Sequence, residues 1–106
     1  MNNSIFLSLC AAQGFPEPVP EYKFCPGRRW AADFAFRELR TLVEIEGGAW
    51  IKGRHTRGKG FENDCEKYAE AICLGWYVLR VTPQMVDDGR LWTWLRRIAL
   101  LRPPTP

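Results

Sequence analysis

Apolar and polar positions alternate most clearly over residues 41–46, where Val43 and Ile45 are interleaved with Glu44 and Glu46. Successive side chains of a strand point to opposite faces. The pattern therefore predicts a short β-strand with Val43 and Ile45 on one face and Glu44 and Glu46 on the other. Residues 28–36 read the same way, with Trp30, Phe34 and Phe36 on an apolar side. Asp33 falls opposite, between the small Ala31 and Ala35. Glu21 to Phe24 alternates charged and aromatic residues and predicts a further strand. Pro26-Gly27 and residues 37–40 supply the turns, so the three strands form an antiparallel meander.

Helical periodicity brackets this meander. Residues 3–13 predict a helix capped by Asn3 or Ser4 and stopped by Gly14, burying Ile5, Phe6, Leu9 and Ala12. Pro16, Pro18 and Pro20 then interrupt regular structure. A helix over 61–75 places Phe61, Cys65, Tyr68, Ile72 and Cys73 on its apolar side and stops at Gly75. Trp76 to Thr82 is a continuous apolar run, predicting a buried strand beside 41–46. The strand–helix–strand link makes those two strands parallel by the right-handed crossover rule. A short helical turn follows Pro83, and an amphipathic helix over 90–101 carries Leu91, Trp94, Leu95, Ile98 and Leu101. The expectation is an α/β fold, ordered α-β-β-β-α-β-α, with a mixed four-stranded sheet flanked by helices.

A chain of 106 residues holds one domain, assigned to 1–102 with a Pro-rich tail at 103–106. Its 46% hydrophobic content, with five Trp, six Phe and three Tyr, marks a folded globule. Net charge is only +3, but Lys52, Arg54, Arg57 and Lys59 fall within one glycine-rich stretch, 47–60. Local positive charge suits a polyanionic partner, and long loops of this kind are often functional. Cys10, Cys25, Cys65 and Cys73 form no CxxC motif and no metal-ligand spacing with His55, the single histidine. They read as free thiols in a reducing compartment. Residues 5–12 make too short and too uncharged a start for a signal peptide, and no run is long enough to span a membrane. A cytoplasmic location, with no membrane partner, is expected.

Asp33, Glu44 and Glu46 would share one patch of sheet if the two strands pair. Carboxylates about 5 Å apart repel by roughly 3 kcal/mol per pair at an effective dielectric near 20. A hard divalent cation, Mg²⁺ or Mn²⁺, removes that penalty, because it takes carboxylate oxygens together with water and phosphate. The competing explanation is a solvated face on an edge strand. Gly47-Gly48 beside the acids favours close approach of a ligand.

With these residues in view, the chain resembles the PD-(D/E)xK nuclease superfamily, and more narrowly small phage and prophage endonucleases related to the very-short-patch repair nucleases. The resemblance rests on an ordered set: Arg28-Arg29-Trp30 with Asp33-Phe34, Val43-Glu44-Ile45-Glu46-Gly47-Gly48, Gly53-Arg54-His55-Thr56-Arg57-Gly58, Glu66-Lys67-Tyr68, and Gly75-Trp76-Tyr77-Val78-Leu79-Arg80. It spans about residues 14–88. It implies a restriction-endonuclease-like core and metal-dependent hydrolysis of DNA phosphodiester bonds, leaving 5′-phosphate ends, in phage or bacterial recombination, repair or packaging. Asp33 and Glu44 match the motif acids. Ala32 replaces the usual Pro, and Glu46 stands where Lys is usual.

The implied metal ligands are Asp33, Glu44 and Glu46, with Glu46 either binding metal or acting as general base. Glu21 has the parity to add a further acid to that face. His55 lies nine positions after Glu46 and serves as general base or phosphate brace, or is simply a solvated loop histidine. Lys52, Arg54, Arg57 and Lys59 would clamp DNA phosphates. Lys67, on the following helix, would supply the positive charge that Glu46 lacks, as in some superfamily members, or else pair with Asp64 or Glu70. Whether the enzyme nicks one strand or cuts two as a homodimer stays open, as does a targeting protein partner.

Two other readings compete. Residues 53–59 imitate a phosphate-binding loop, but Gly60 occupies the position of the Mg²⁺-binding Ser or Thr. A non-catalytic DNA-binding or interaction module would use the basic loop and the C-terminal helix, through Arg96, Arg97 and Arg102 or through Trp92 or Trp94.

Overall fold

The computed structural model describes residues 2–47 and 59–101. Helix α1 (Asn3–Ala12) is followed by strands β1 (Val19–Tyr22) and β2 (Ala32–Phe36). A 3-10 turn at Arg37–Leu39 leads into β3 (Thr41–Ile45). Then come α2 (Lys59–Cys73), β4 (Tyr77–Val81), α3 (Pro83–Asp87) and α4 (Arg90–Leu101). The sheet order is β1-β2-β3-β4, antiparallel across the first two pairings and parallel between β3 and β4. The fold is α/β with a mixed four-stranded sheet flanked by helices, as the order of elements implied.

Two clusters hold the layers together. On one face Phe34, Phe36, Val43 and Val81 pack against Phe6 and Cys10 of α1, Val86 of α3, and Leu91, Trp92 and Leu95 of α4. On the other, Ala35 and Leu42 pack with Phe24, Trp76 and Ala71 of α2. Val43 and Ile45 do lie opposite to Leu42, so the parity of β3 holds.

Several boundaries and faces differ from expectation. The first helix is capped by Asn2, whose side chain accepts from the Ile5 amide at 2.9 Å, and Ile5 is 51% exposed where a buried position was expected. The first strand begins at Val19 and contains Pro20, which an edge strand tolerates because one of its sides needs no donors. The strand expected over 28–36 starts only at Ala32, and Trp30 packs with the Ala35 cluster, across the sheet from Phe34 and Phe36. Among the described residues β4 is the last strand of the sheet, with a half-exposed surface where a buried one was expected. In α4, Trp92 is buried beside Leu91 and Leu95, whereas Leu101 is 67% exposed.

The largest correction concerns α2. Its sheet-facing residues are Asp64, Lys67, Tyr68 and Ala71, spaced as one helical stripe, and of these only Ala71 is fully buried. Phe61 is 58% exposed, Ile72 63%, and Cys65 and Cys73 are exposed as well. The helix therefore turns a polar stripe inward and an apolar stripe outward.

Arg40 pins the parallel pair. It adopts a left-handed conformation (φ 49°), donates from its guanidinium to the Leu74 carbonyl at 2.7 Å, and lies 3.9 Å above the Trp76 ring. Its own carbonyl accepts from the Tyr77 amide at 2.8 Å. The starts of β3 and β4 are thus fixed to each other.

Candidate active site

The sheet ladder breaks at Asp33. Between β1 and β2, Val19 pairs with Ala35, Pro20 with Phe34 and Tyr22 with Ala32, skipping the level of Glu21 and Asp33. Glu21 there takes a left-handed conformation (φ 51°), a strained choice for a residue with a side chain. Between β2 and β3 the pairing stops at Phe34–Val43, one level short of Asp33 and Glu44.

Side chains take over where the backbone ladder ends. The Asp33 amide donates to Glu44 Oε2 at 3.3 Å, and the Ile45 amide donates to Asp33 Oδ2 at 2.8 Å. Lys67 Nζ comes down from α2 and donates to Glu44 Oε1 at 2.5 Å. Glu44 is only 6% exposed. Its pKa is raised chiefly by burial and secondarily by the Asp33 charge, against the opposing pull of Lys67 and the Asp33 amide. A buried carboxylate is tolerated here because both of its oxygens are hydrogen-bonded and one partner is cationic.

Glu46 has a different partner. Arg80 Nε on β4 donates to Glu46 Oε2 at 2.7 Å, and its guanidinium lies 4.7 Å from the centre of the Tyr68 ring. This pairing raises the Arg80 pKa. Tyr68 sits among Glu44, Glu46 and Lys67, and burial followed by the two carboxylate charges pushes its phenol well above the usual range.

Asp33 also lines a cavity of about 320 Å³ with Glu21, Asn2, Asn3, Ile45 and Pro83. The structure thus brings Asp33 to Glu44 and Glu44 to Lys67, and places Glu21 on the same cavity as Asp33. Glu46 is drawn aside to Arg80, and among the described residues no group of three or more potential ligands is gathered as a metal site. The expected three-acid convergence is therefore an adjacent pair, Asp33 and Glu44, plus a separately paired Glu46. Lys67 bonds neither Asp64 nor Glu70. Lys52, Arg54, His55, Arg57 and Arg102 lie outside the described residues, as do the tail 103–106 and the Lys59 side chain. Among the described residues no helix is long and apolar enough to cross a membrane.

Sequence reasoning missed Arg80. Its signal was present: it is the single charged residue in an otherwise apolar strand, where a charge needs a partner. No protein-family model, curated protein or solved structure matches this chain.

Proposed function

We propose that the protein is a divalent-metal-dependent endodeoxyribonuclease with a restriction-endonuclease-like core, acting on DNA at the Asp33–Glu44–Lys67 constellation. One observation carries the reading: a carboxylate only 6% exposed, at an interrupted sheet level, bonded to a neighbouring acidic residue and to a lysine from a different element. Buried charge gathered from separated parts of the chain is the usual mark of a reactive centre.

The donor set fits Mg²⁺ or Mn²⁺. Mg²⁺ commonly binds through one or two carboxylates and completes its shell with water and phosphate. Asp33 and Glu44 supply such a pair, and Glu21 and Glu46 are the nearby acids available to extend it. A bound ion would polarise the scissile phosphate and lower the pKa of a water. The protein's own part is positional. Ile45 orients Asp33 through its amide, and Lys67 places a positive charge beside Glu44, where the strand itself offers only Glu46. That charge would offset the growing negative charge on the phosphate oxygens. Lys52, Arg54, Arg57 and Lys59 are the proposed phosphate contacts, and His55 the proposed base or brace.

A second reading has its own support. Glu44 and Glu46 are each already neutralised, by Lys67 and Arg80, as in a purely structural network. On that reading the protein is a non-catalytic DNA-binding or interaction module. Incubation with branched, nicked, mismatched and single-stranded DNA, with Mg²⁺ or Mn²⁺ and then with EDTA, separates the two. The nuclease reading expects EDTA-sensitive cleavage that Glu44→Ala abolishes. It expects Lys67→Met to lower the rate by about 10²–10⁴-fold, the range for a lost positioned catalytic group. Binding without cleavage under every metal condition establishes the module instead.

A further inference from the structure

We propose, on the basis of the metal-dependent reading above, that Arg80 is a positioning residue: by holding the Glu46 carboxylate toward β4, it keeps that acid off a divalent cation bound at Asp33 and Glu44.

The end of β3 is tied to one neighbour more than to the other. β3 lies between β2, which carries Asp33, and β4, which carries Arg80. Parity puts Glu46 on the same face as Glu44, two residues further along. Pairing with β2 ends at Phe34–Val43, whereas pairing with β4 continues through Ile45–Val81. The Glu46 amide then donates to the Val81 carbonyl at 2.7 Å. The side chain follows the backbone, and Glu46 Oε2 accepts from Arg80 Nε at 2.7 Å.

Each acid has its own cation. Arg80 is in register with Glu44 across the parallel pair, yet it bonds Glu46. Lys67 takes Glu44 Oε1 instead. Lys67 Nζ lies 5.4 Å and the Arg80 guanidinium carbon 4.7 Å from the centre of the Tyr68 ring. The ring face attracts both cations, which steadies Arg80 on the β4 side.

The Arg80–Glu46 pair is 46% and 26% exposed, and ion pairs this open to solvent contribute little to stability. Its consequence is directional. Glu46 turned toward the ion would add both a ligand and a negative charge, and the affinity of a site for a hard cation rises with the charge of its ligands. Held by Arg80, Glu46 leaves that position to water or phosphate, the groups on which the proposed hydrolysis depends. A guanidinium stays charged across the working pH range, so the restraint does not lapse with pH.

Mn²⁺ binding to the full chain tests this. Titration calorimetry reads the affinity, and electron–nuclear double resonance of bound Mn²⁺ counts the protons of its water ligands. Arg80→Leu and Arg80→Gln should each bind Mn²⁺ roughly tenfold more tightly, with fewer water ligands, because Glu46 joins the ion. Arg80→Lys, which keeps a cation beside Glu46, should restore the wild-type affinity and water count, and so should Arg80→Leu/Glu46→Gln. Unchanged affinity in both Arg80→Leu and Arg80→Gln, tighter binding with the water count unchanged, or tightening that Glu46→Gln does not reverse would overturn the role of Arg80 and leave the nuclease reading standing. A wild-type protein that takes up no Mn²⁺ removes both.

Discussion

Lys67 and Glu44 form a nearly buried ion pair, with side chains 14% and 8% exposed. Such pairs contribute little net stability, yet removing one member leaves an uncompensated charge at a cost of about 3–5 kcal/mol. Lys67→Met should therefore lower unfolding stability by about that amount, and Lys67→Met/Glu44→Leu should recover most of it, as read from urea midpoints. Cys10 supplies a second residue-scale prediction. Burial pushes its thiol from 9.0 up to about 12, so folded Cys10 should resist thiol reagents at neutral pH while Cys65 and Cys73 react. The folded pKa lies above the unfolded one. The contribution of the neutral thiol is thus fully present below pH 9 and is lost as pH rises toward 12. Cys10→Ala should make the alkaline fall in stability shallower.

Among the elements, α2 separates what composition implies from what position decides. Ala71→Leu, facing Leu42 and Trp76, should cost about 1–3 kcal/mol through overpacking, measurable as a lower urea midpoint. Phe61→Glu on the outer face should change the unfolding free energy by no more than about 0.5 kcal/mol. The faces of β3 were legible because alternation alone assigns them: Val43 and Ile45 against Glu44 and Glu46 follows from parity, whereas the face of Trp30 did not, because the strand begins only at Ala32. The inner face of α2 was not. Phe61, Cys65 and Ile72 look like a core stripe only if the helix has to supply the core, and here Phe24, Trp76 and Leu42 already fill that layer. The space left opposite the acids takes a lysine and a tyrosine. The Asn2 cap was missed for a simpler reason, because three consecutive polar residues, Asn2, Asn3 and Ser4, all satisfy the capping rule.

On the scale of the whole molecule, the two faces of the sheet are secured unequally. α1, α3 and α4 bury a large aromatic and aliphatic cluster, whereas α2 buries one alanine completely and otherwise leans on ion pairs and half-buried rings. Backbone amides of the central strands should therefore exchange with deuterium only through global unfolding, while those of α2 exchange through a lower-energy local opening. Native-state exchange measured against denaturant would rank them. Because α2 carries Lys67, each such opening would leave the Glu44 carboxylate without its ammonium neighbour, at a frequency set by how loosely that helix is held.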